Sequence, residues 1–283
     1  MSFRIAAITD EFSPDLEAAA AAMEKIGMTG AELRMISGKN IVDLTDTELE
    51  QAKRICAAHK LEIISIASPL LKCTLPGGPA VDPRFQQDSF AAKHGYEDQR
   101  RLTKRAFEIA KRTGAKIVRV FSYWRTVEPE KCFDAIVTAL RGLAESAAKE
   151  DLIIGLENEF ACNIATASET ARVLAALDHP NLKVVWDPAN CFMSGENPFP
   201  EGYSKLPPAR IAHVHSKDCD QNRAWTALGE GKIGWKGQIK ALTDDNYRGW
   251  ISLETHWAGP NNDKMEASVI CGRNLAALVG VKR

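Results

Sequence analysis

The chain has no excess charge, no paired cysteines, no glycine-rich phosphate signature and no long apolar run, and each absence removes a class of protein. Its 36 Lys and Arg balance 37 Asp and Glu for a net charge of −1, so nothing favours nucleic acid or an anionic membrane surface as a partner. No segment approaches the roughly 18 apolar residues of a membrane span. The opening residues, MSFRIAAITDEF, run into Asp10 and Glu11 before any signal-like apolar region can form, and a cytoplasmic location is expected. The seven cysteines (Cys56, Cys73, Cys132, Cys162, Cys191, Cys219, Cys271) are scattered, odd in number and never paired as CxxC. That excludes a disulfide framework and a zinc ribbon, and reads as reduced thiols. No GxGxxG follows the first apolar run, which disfavours a dinucleotide fold.

What is present is a repeat of apolar runs and helical segments. Hydrophobic residues make up 45% and charged residues 26% of 283 residues, enough for one α/β barrel of about 250 residues with an added loop or two. Eight short runs read as strands: 3–8, 30–34, 61–67, 116–121, 152–157, 182–187, 210–215 and 250–254. They are nearly continuous in apolar residues, as strands covered on both faces are. Helical patterns alternate with them over 16–26, 45–59, 96–112, 128–150, 166–177, 233–242 and 264–279. The first has Ser13 as a cap-like residue and stops at Gly27, and the second opens on a Thr45/Glu48 capping box. Residues 198–208 form a proline-rich loop. No linker divides the chain, so residues 1–283 are expected to form a single (β/α)8 TIM barrel. The rhythm breaks once, after the third strand. Residues 68–95 hold Pro69, Pro76, Gly77, Gly78, Pro79, Pro83 and Gly95, and a long insertion there is expected to act as a lid or as a contact in a homo-oligomer.

The stretch Ile211–Asp218, IAHVHSKD, carries chemistry. His213, His215 and Lys217 are spaced by two and therefore share one strand face. Three further runs end in a carboxylate, at Glu157, Asp187 and Glu254. A single acid after a strand is ordinary loop chemistry. Four ligand-grade groups in register on strands five to eight are a metal pattern, because barrel active sites lie at the strand C-termini. Three carboxylates and an imidazole suit Mn²⁺, Mg²⁺ or Co²⁺, with Zn²⁺ also possible, and Mn²⁺ is the expected ion.

GLENE, WDPAN, HVHSKD and SLETHW, in that order and spacing, resemble the xylose isomerase-like barrel superfamily, and within it the sugar phosphate isomerase/epimerase branch. That branch includes ketose 3-epimerases, hydroxypyruvate isomerase and the inosose isomerases and dehydratases. The likeness covers essentially the whole chain. It implies Glu157, Asp187, His215 and Glu254 as metal ligands, and Glu157 and Glu254 as the catalytic pair flanking a small-molecule sugar or keto-polyol. One glutamate would remove the proton next to a carbonyl and the other return it, through an enediolate. The same parts suit a dehydratase or a lyase acting on keto-glycosides, and a barrel that only binds metal and sugar is the non-catalytic alternative. Asn190 departs from relatives that place a histidine after WDPA. Strands three and four end in Ser68 and Ser122, so the ligands of a trinuclear zinc nuclease are missing.

Other residues of the strand ends are assigned more loosely. Lys217 and Arg34 are candidates to bind substrate oxygens, or to pair with neighbouring acids. Asn190 and His256 are candidate hydroxyl contacts, and Trp124, Trp186 and Trp257 candidate pocket walls. His213 reads as a core residue or as a support behind the ligands, and Arg119 as the partner of a ligand carboxylate. The glycines around Glu230 read as a plain turn.

Overall fold

A computed structural model describes residues 3–85 and 94–281. Eight parallel strands close on themselves: β1 (Arg4–Ile8), β2 (Gly30–Leu33), β3 (Glu62–Leu70), β4 (Ile117–Val120), β5 (Ile153–Glu157), β6 (Leu182–Trp186), β7 (Ile211–Ser216) and β8 (Trp250–Leu253). Each pairs with its sequence neighbours, and β8 returns to β1 with Ser252 beside Ala6. The chain is a single (β/α)8 barrel, as its apolar rhythm predicts.

The helices follow their caps. α1 (Leu16–Ile26) is capped by Asp15, whose carboxylate accepts the Glu17 N–H, while Ser13 accepts the N–H of Asp15 one step earlier. It ends at Gly27 in the left-handed region (φ 91°), a conformation glycine adopts without Cβ strain. α2 (Asp46–Ala58) has the expected Thr45/Glu48 capping box. α3 (Gln99–Thr113), α4 (Phe133–Ala148) and α5 (Ala167–Ala176) follow strands three to five. The sixth crossover is the irregular one: α6 (Pro188–Met193) is short, and turns over 198–210 complete the return to β7. α7 (Trp235–Asp244) starts two residues later than the pattern predicts, because Gly234 at its N-cap is left-handed (φ 74°). α8 (Lys264–Val279) closes the ring. None of the described helices is long and apolar enough to cross a membrane.

The third strand runs to Leu70, three residues past the predicted end, so Ser68 lies within it. Its hydroxyl donates to the Arg119 carbonyl, tying β3 to β4. Of the expected insertion, residues 86–93 fall outside the described residues, and its role as lid or oligomer contact rests partly on them.

The main core lies between barrel and helices. Inside the barrel, Ala6, Ile64 and Trp250 form a separate small cluster. Small residues on neighbouring strands make room for that indole. A Cβ on Gly30 would lie 2.8 Å from the Trp250 ring and 2.9 Å from the Ala6 Cβ. Gly30→Ala is therefore expected to destabilise the fold by about 1–3 kcal/mol through overpacking. Urea unfolding checks this, and an unchanged midpoint would contradict it.

Candidate metal centre and substrate cleft

Four strand ends converge above this plug. Glu157 is the last residue of β5, and Glu254 directly follows β8. Asp187 follows β6 and serves as the N-cap of α6: its Oδ1 accepts the Asn190 N–H at 2.8 Å, which turns Oδ2 toward the barrel's other acids. His215 comes up on β7. One ligand atom from each of Glu157, Asp187, His215 and Glu254 can be chosen so that all four lie within 4.8 Å of one another, and all four residues are buried. His215 aims Nδ1 into the set, 3.3 Å from Glu157 Oε1, 3.3 Å from Glu254 Oε2 and 3.9 Å from Asp187 Oδ2.

Buried cations hold this layer together. Lys217 Nζ lies 2.8 Å from Asp187 Oδ2 and 2.9 Å from Glu254 Oε2. Arg119 Nη1 lies 3.1 Å from Glu157 Oε2, the pairing expected from its place inside β4. Arg34 joins Glu254 Oε1 at 3.0 Å to Asp10 and Glu11 on the turn after β1. Lys217 and Arg34 thus pair with neighbouring acids, and Arg34 also faces the cleft.

The charges decide which groups ionise. Burial alone would raise Glu254, but Lys217 and His215 outweigh it and hold its carboxyl well below the usual range. Glu157 is also held low, because Arg119 and His215 overcome its burial. Asp187 goes the other way: burial and the Glu254 and Glu157 charges outweigh Lys217, pushing it up to about 6.

The donor set fits a divalent cation. Glu157 Oε2 and Asp187 Oδ2 are buried and accept no aligned hydrogen bond from the described residues, although each has a cation within ion-pair distance. Carboxyl groups outnumber the permanent cations in this layer, and an oxygen-rich set with one imidazole is the chemistry that such an ion takes.

Beside the centre lies a cavity of about 250 Å³, bordered by Arg34, Lys72, Arg119, Glu159, Glu254 and His256. Aromatic rings wall one side in an arc. Phe85 meets Phe160 edge-on at 6.1 Å, Phe160 lies 6.5 Å from Trp225, and Trp225 stacks on His256 at 4.8 Å. Of the expected substrate contacts, Arg34 and His256 border this cavity. His256 is held well below the ordinary imidazole value by burial and by the Lys217 ammonium, and is neutral. Asn190 is fully buried behind the acids, where its amide donates to Glu157 and Glu159.

Trp124 corrects the expected wall. The left-handed turn at Tyr123 (φ 62°) leads the backbone to pair with Cys162, and Trp124 lines a separate depression with Cys73, His94 and Tyr96. Trp186 is buried in the main core, with its indole N–H donating to Gln238. Trp257 packs at the edge of that core.

Residues not anticipated complete the site. Trp225 is delivered by a two-strand hairpin, Asp218–Cys219 with Trp225–Thr226. Asp218 anchors that hairpin by accepting the backbone N–H groups of Gly229, Gly231 and Ile233. The glycines around Glu230 are therefore a carboxylate-bound turn. Glu159 shares a strand parity with Glu157, which was its only sequence signal, and burial pushes its carboxyl up to about 7 despite Lys72. Glu32 contacts both His213 and His215.

Residues 20–275 match the family described as xylose isomerase-like TIM barrel. Among curated proteins, the inosose dehydratase of Clostridium botulinum (strain Eklund 17B / Type B) is 24% identical over 143 residues, covering 44% of this chain and 47% of that protein. The inosose dehydratase of Lacticaseibacillus casei is 24% identical over 169 residues, covering 53% and 55%. The chain thus spans about half the length of the curated relatives it matches. Among solved structures, the IolI protein with a bound zinc atom superposes with a TM-score of 0.75 at 16% identity over 98% of each chain. D-allulose 3-epimerase from Methylomonas sp., in complex with D-allulose, gives a TM-score of 0.71 at 16% identity over 98% of this chain and 96% of that one. At such identities these two are likenesses of fold.

Proposed function

Since the chain belongs to the xylose isomerase-like TIM-barrel family, we propose that it is a metal-dependent sugar isomerase or epimerase that moves a proton next to a carbonyl. The observation that carries this reading is the convergence of two buried, ionised glutamates, Glu157 and Glu254, on one four-residue ligand set. Glu157, Asp187, His215 and Glu254 would hold the ion, with Mn²⁺ our choice and Zn²⁺ supported by the IolI fold relative, and the cation would make a C–H beside a polarised carbonyl more acidic.

The chain's own groups supply the rest. Glu254 is ionised at neutral pH and takes the proton on one of its two oxygens, displacing Arg34 from Oε1 or Lys217 from Oε2 as it does so. In an isomerisation Glu254 hands the same proton to the neighbouring carbon; in an epimerisation Glu157, anchored by Arg119, first takes up a proton from solvent and delivers it to the opposite face. His256 is neutral and lies at the cavity wall, with Nε2 facing the Lys217 ammonium, so the Nδ1–H is the group it would offer to a substrate oxygen. The arc from Phe85 to Trp225 covers one face of the ring and keeps water from it.

Elimination is the second reading, and Glu159 favours it. A carboxyl group pushed up to about 7 stays half protonated near neutral pH and can protonate a departing hydroxyl. The curated relatives carry the name inosose dehydratase. One experiment separates the two. The Mn²⁺-loaded protein is incubated in D₂O with ketoses, inososes and 3-keto-glucosides, and the products are weighed. Isomerisation or epimerisation changes the mass only by incorporated deuterium, whereas elimination loses water or an aglycone. Neither deuterium uptake nor mass loss across the panel would refute both readings.

A further inference from the structure

We propose that Glu32 and His213 form a positioning relay that fixes which nitrogen His215 offers to the metal centre. The inference rests on the metal-site part of the reading above. It starts from three buried side chains below the ligand layer. Glu32 is completely buried at the second-last position of β2. His213 and His215 stand two apart on β7, across the barrel, with their rings perpendicular at 5.3 Å. His213 Nε2 lies 2.5 Å from Glu32 Oε1, and His215 Nε2 lies 3.3 Å from the same oxygen and 3.4 Å from Oε2.

A carboxylate only accepts, so both imidazoles donate to it through Nε2. For His215 that choice has a consequence. With its proton on Nε2, the lone pair is on Nδ1, the atom already aimed at Glu157, Asp187 and Glu254. Among the described residues Glu32 makes ion-pair contacts only with these two histidines. Without an acceptor there, His215 could rotate or place its proton on Nδ1, and either change would remove the imidazole from the ligand set. His213 acts one step further back: its Nε2–H holds Glu32 Oε1 in line with the His215 ring. Its own Nδ1 is buried without a hydrogen bond among the described residues, so Glu32 alone orients it. Carboxylate–histidine–metal relays of this kind typically change metal affinity by about 10–100-fold when broken.

The test measures metal binding rather than turnover. Mn²⁺ affinity is measured by calorimetry on wild-type, Glu32→Gln and His213→Gln protein, alongside urea unfolding of each metal-free variant. The His215 tautomer is read by ¹⁵N NMR on the diamagnetic Zn²⁺ complex. Glu32→Gln is expected to weaken Mn²⁺ binding by about 10–100-fold, with His213→Gln weaker than wild type by a smaller factor. Wild-type His215 is expected to ligate through Nδ1 and carry its proton on Nε2. Should Glu32→Gln not fold, His213→Gln leaves the carboxylate in place and still reads the relay. Unweakened binding in the folded variants, or ligation through Nε2 in the wild type, would overturn the relay while leaving the metal centre standing. Wild-type protein that takes up neither ion would overturn the centre and the relay together.

Discussion

Glu254→Gln is expected to lower proton exchange at the carbon next to the carbonyl by at least about 10²–10⁴-fold, the usual contribution of a positioned general base. Two groups keep Glu254 ionised in a place where burial alone would protonate it, Lys217 at 2.9 Å and His215 at 3.3 Å, while Arg34 binds its other oxygen at 3.0 Å. The amide keeps the shape but can accept from only one of Arg34 and Lys217, and the fold is expected to survive because Lys217 keeps Asp187 and Arg34 keeps Asp10 and Glu11 as partners. What is lost is the negative charge, and with it the base. Because Glu254 is also a proposed ligand, the measurement has two parts: deuterium incorporation at saturating Mn²⁺, and Mn²⁺ affinity by calorimetry. A loss of exchange that saturating metal does not restore marks the base. Exchange that returns to the wild-type rate at high Mn²⁺ would leave Glu254 as a ligand only and move the chemistry elsewhere.

Mn²⁺ is expected to stabilise the protein by about 2.7 kcal/mol at a hundredfold excess over its dissociation constant, which for a domain of this size is a rise of roughly 5–10 °C in Tm. The effect should depend steeply on pH, through Asp187. In the metal-free fold its carboxyl is raised from 3.8 to about 6. A carboxyl raised on folding costs stability as pH climbs between those values, since the charged form is the one burial disfavours. The cation reverses this by binding that charged form. Protons and metal therefore compete, and stabilisation is fully present well above pH 6 and fades as pH falls through it. His215, raised by the carboxylates around it against the pull of burial, must also release a proton to ligate, which pushes the dependence the same way. Thermal melts with and without Mn²⁺ on both sides of pH 6 check this. A Tm increment independent of pH would remove Asp187 from the ligand set.

Much of this site could be read from the chain because barrels place chemistry where apolar runs stop. Glu157, Asp187, His215 and Glu254 each end such a run, and strand order brings them together without further information. The eight-strand rhythm was legible for the same reason: strands covered on both faces leave continuous apolar segments. What resisted reading depends on contacts through space. Glu32 meets His213 across 181 positions of sequence, and its only local hint is that it shares a strand face with Arg34. The aromatic wall was expected from Trp124 and is made by Trp225, because a left-handed residue redirects one and a short hairpin delivers the other. The end of β3 was placed early because Ser68 and Pro69 look like a turn, yet Ser68 satisfies the Arg119 carbonyl and the strand continues.

Arg34 has one further consequence. It grips Asp10 and Glu11 just after β1 and Glu254 just after β8, while Ser268 and Lys264 of α8 reach back to Glu11. The proposed base is thus clamped at the seam where the first and last staves meet. A nascent polypeptide still lacking its eighth stave would have three ligands and no base, so competence arrives late and all at once, as a latch that only the finished ring can close.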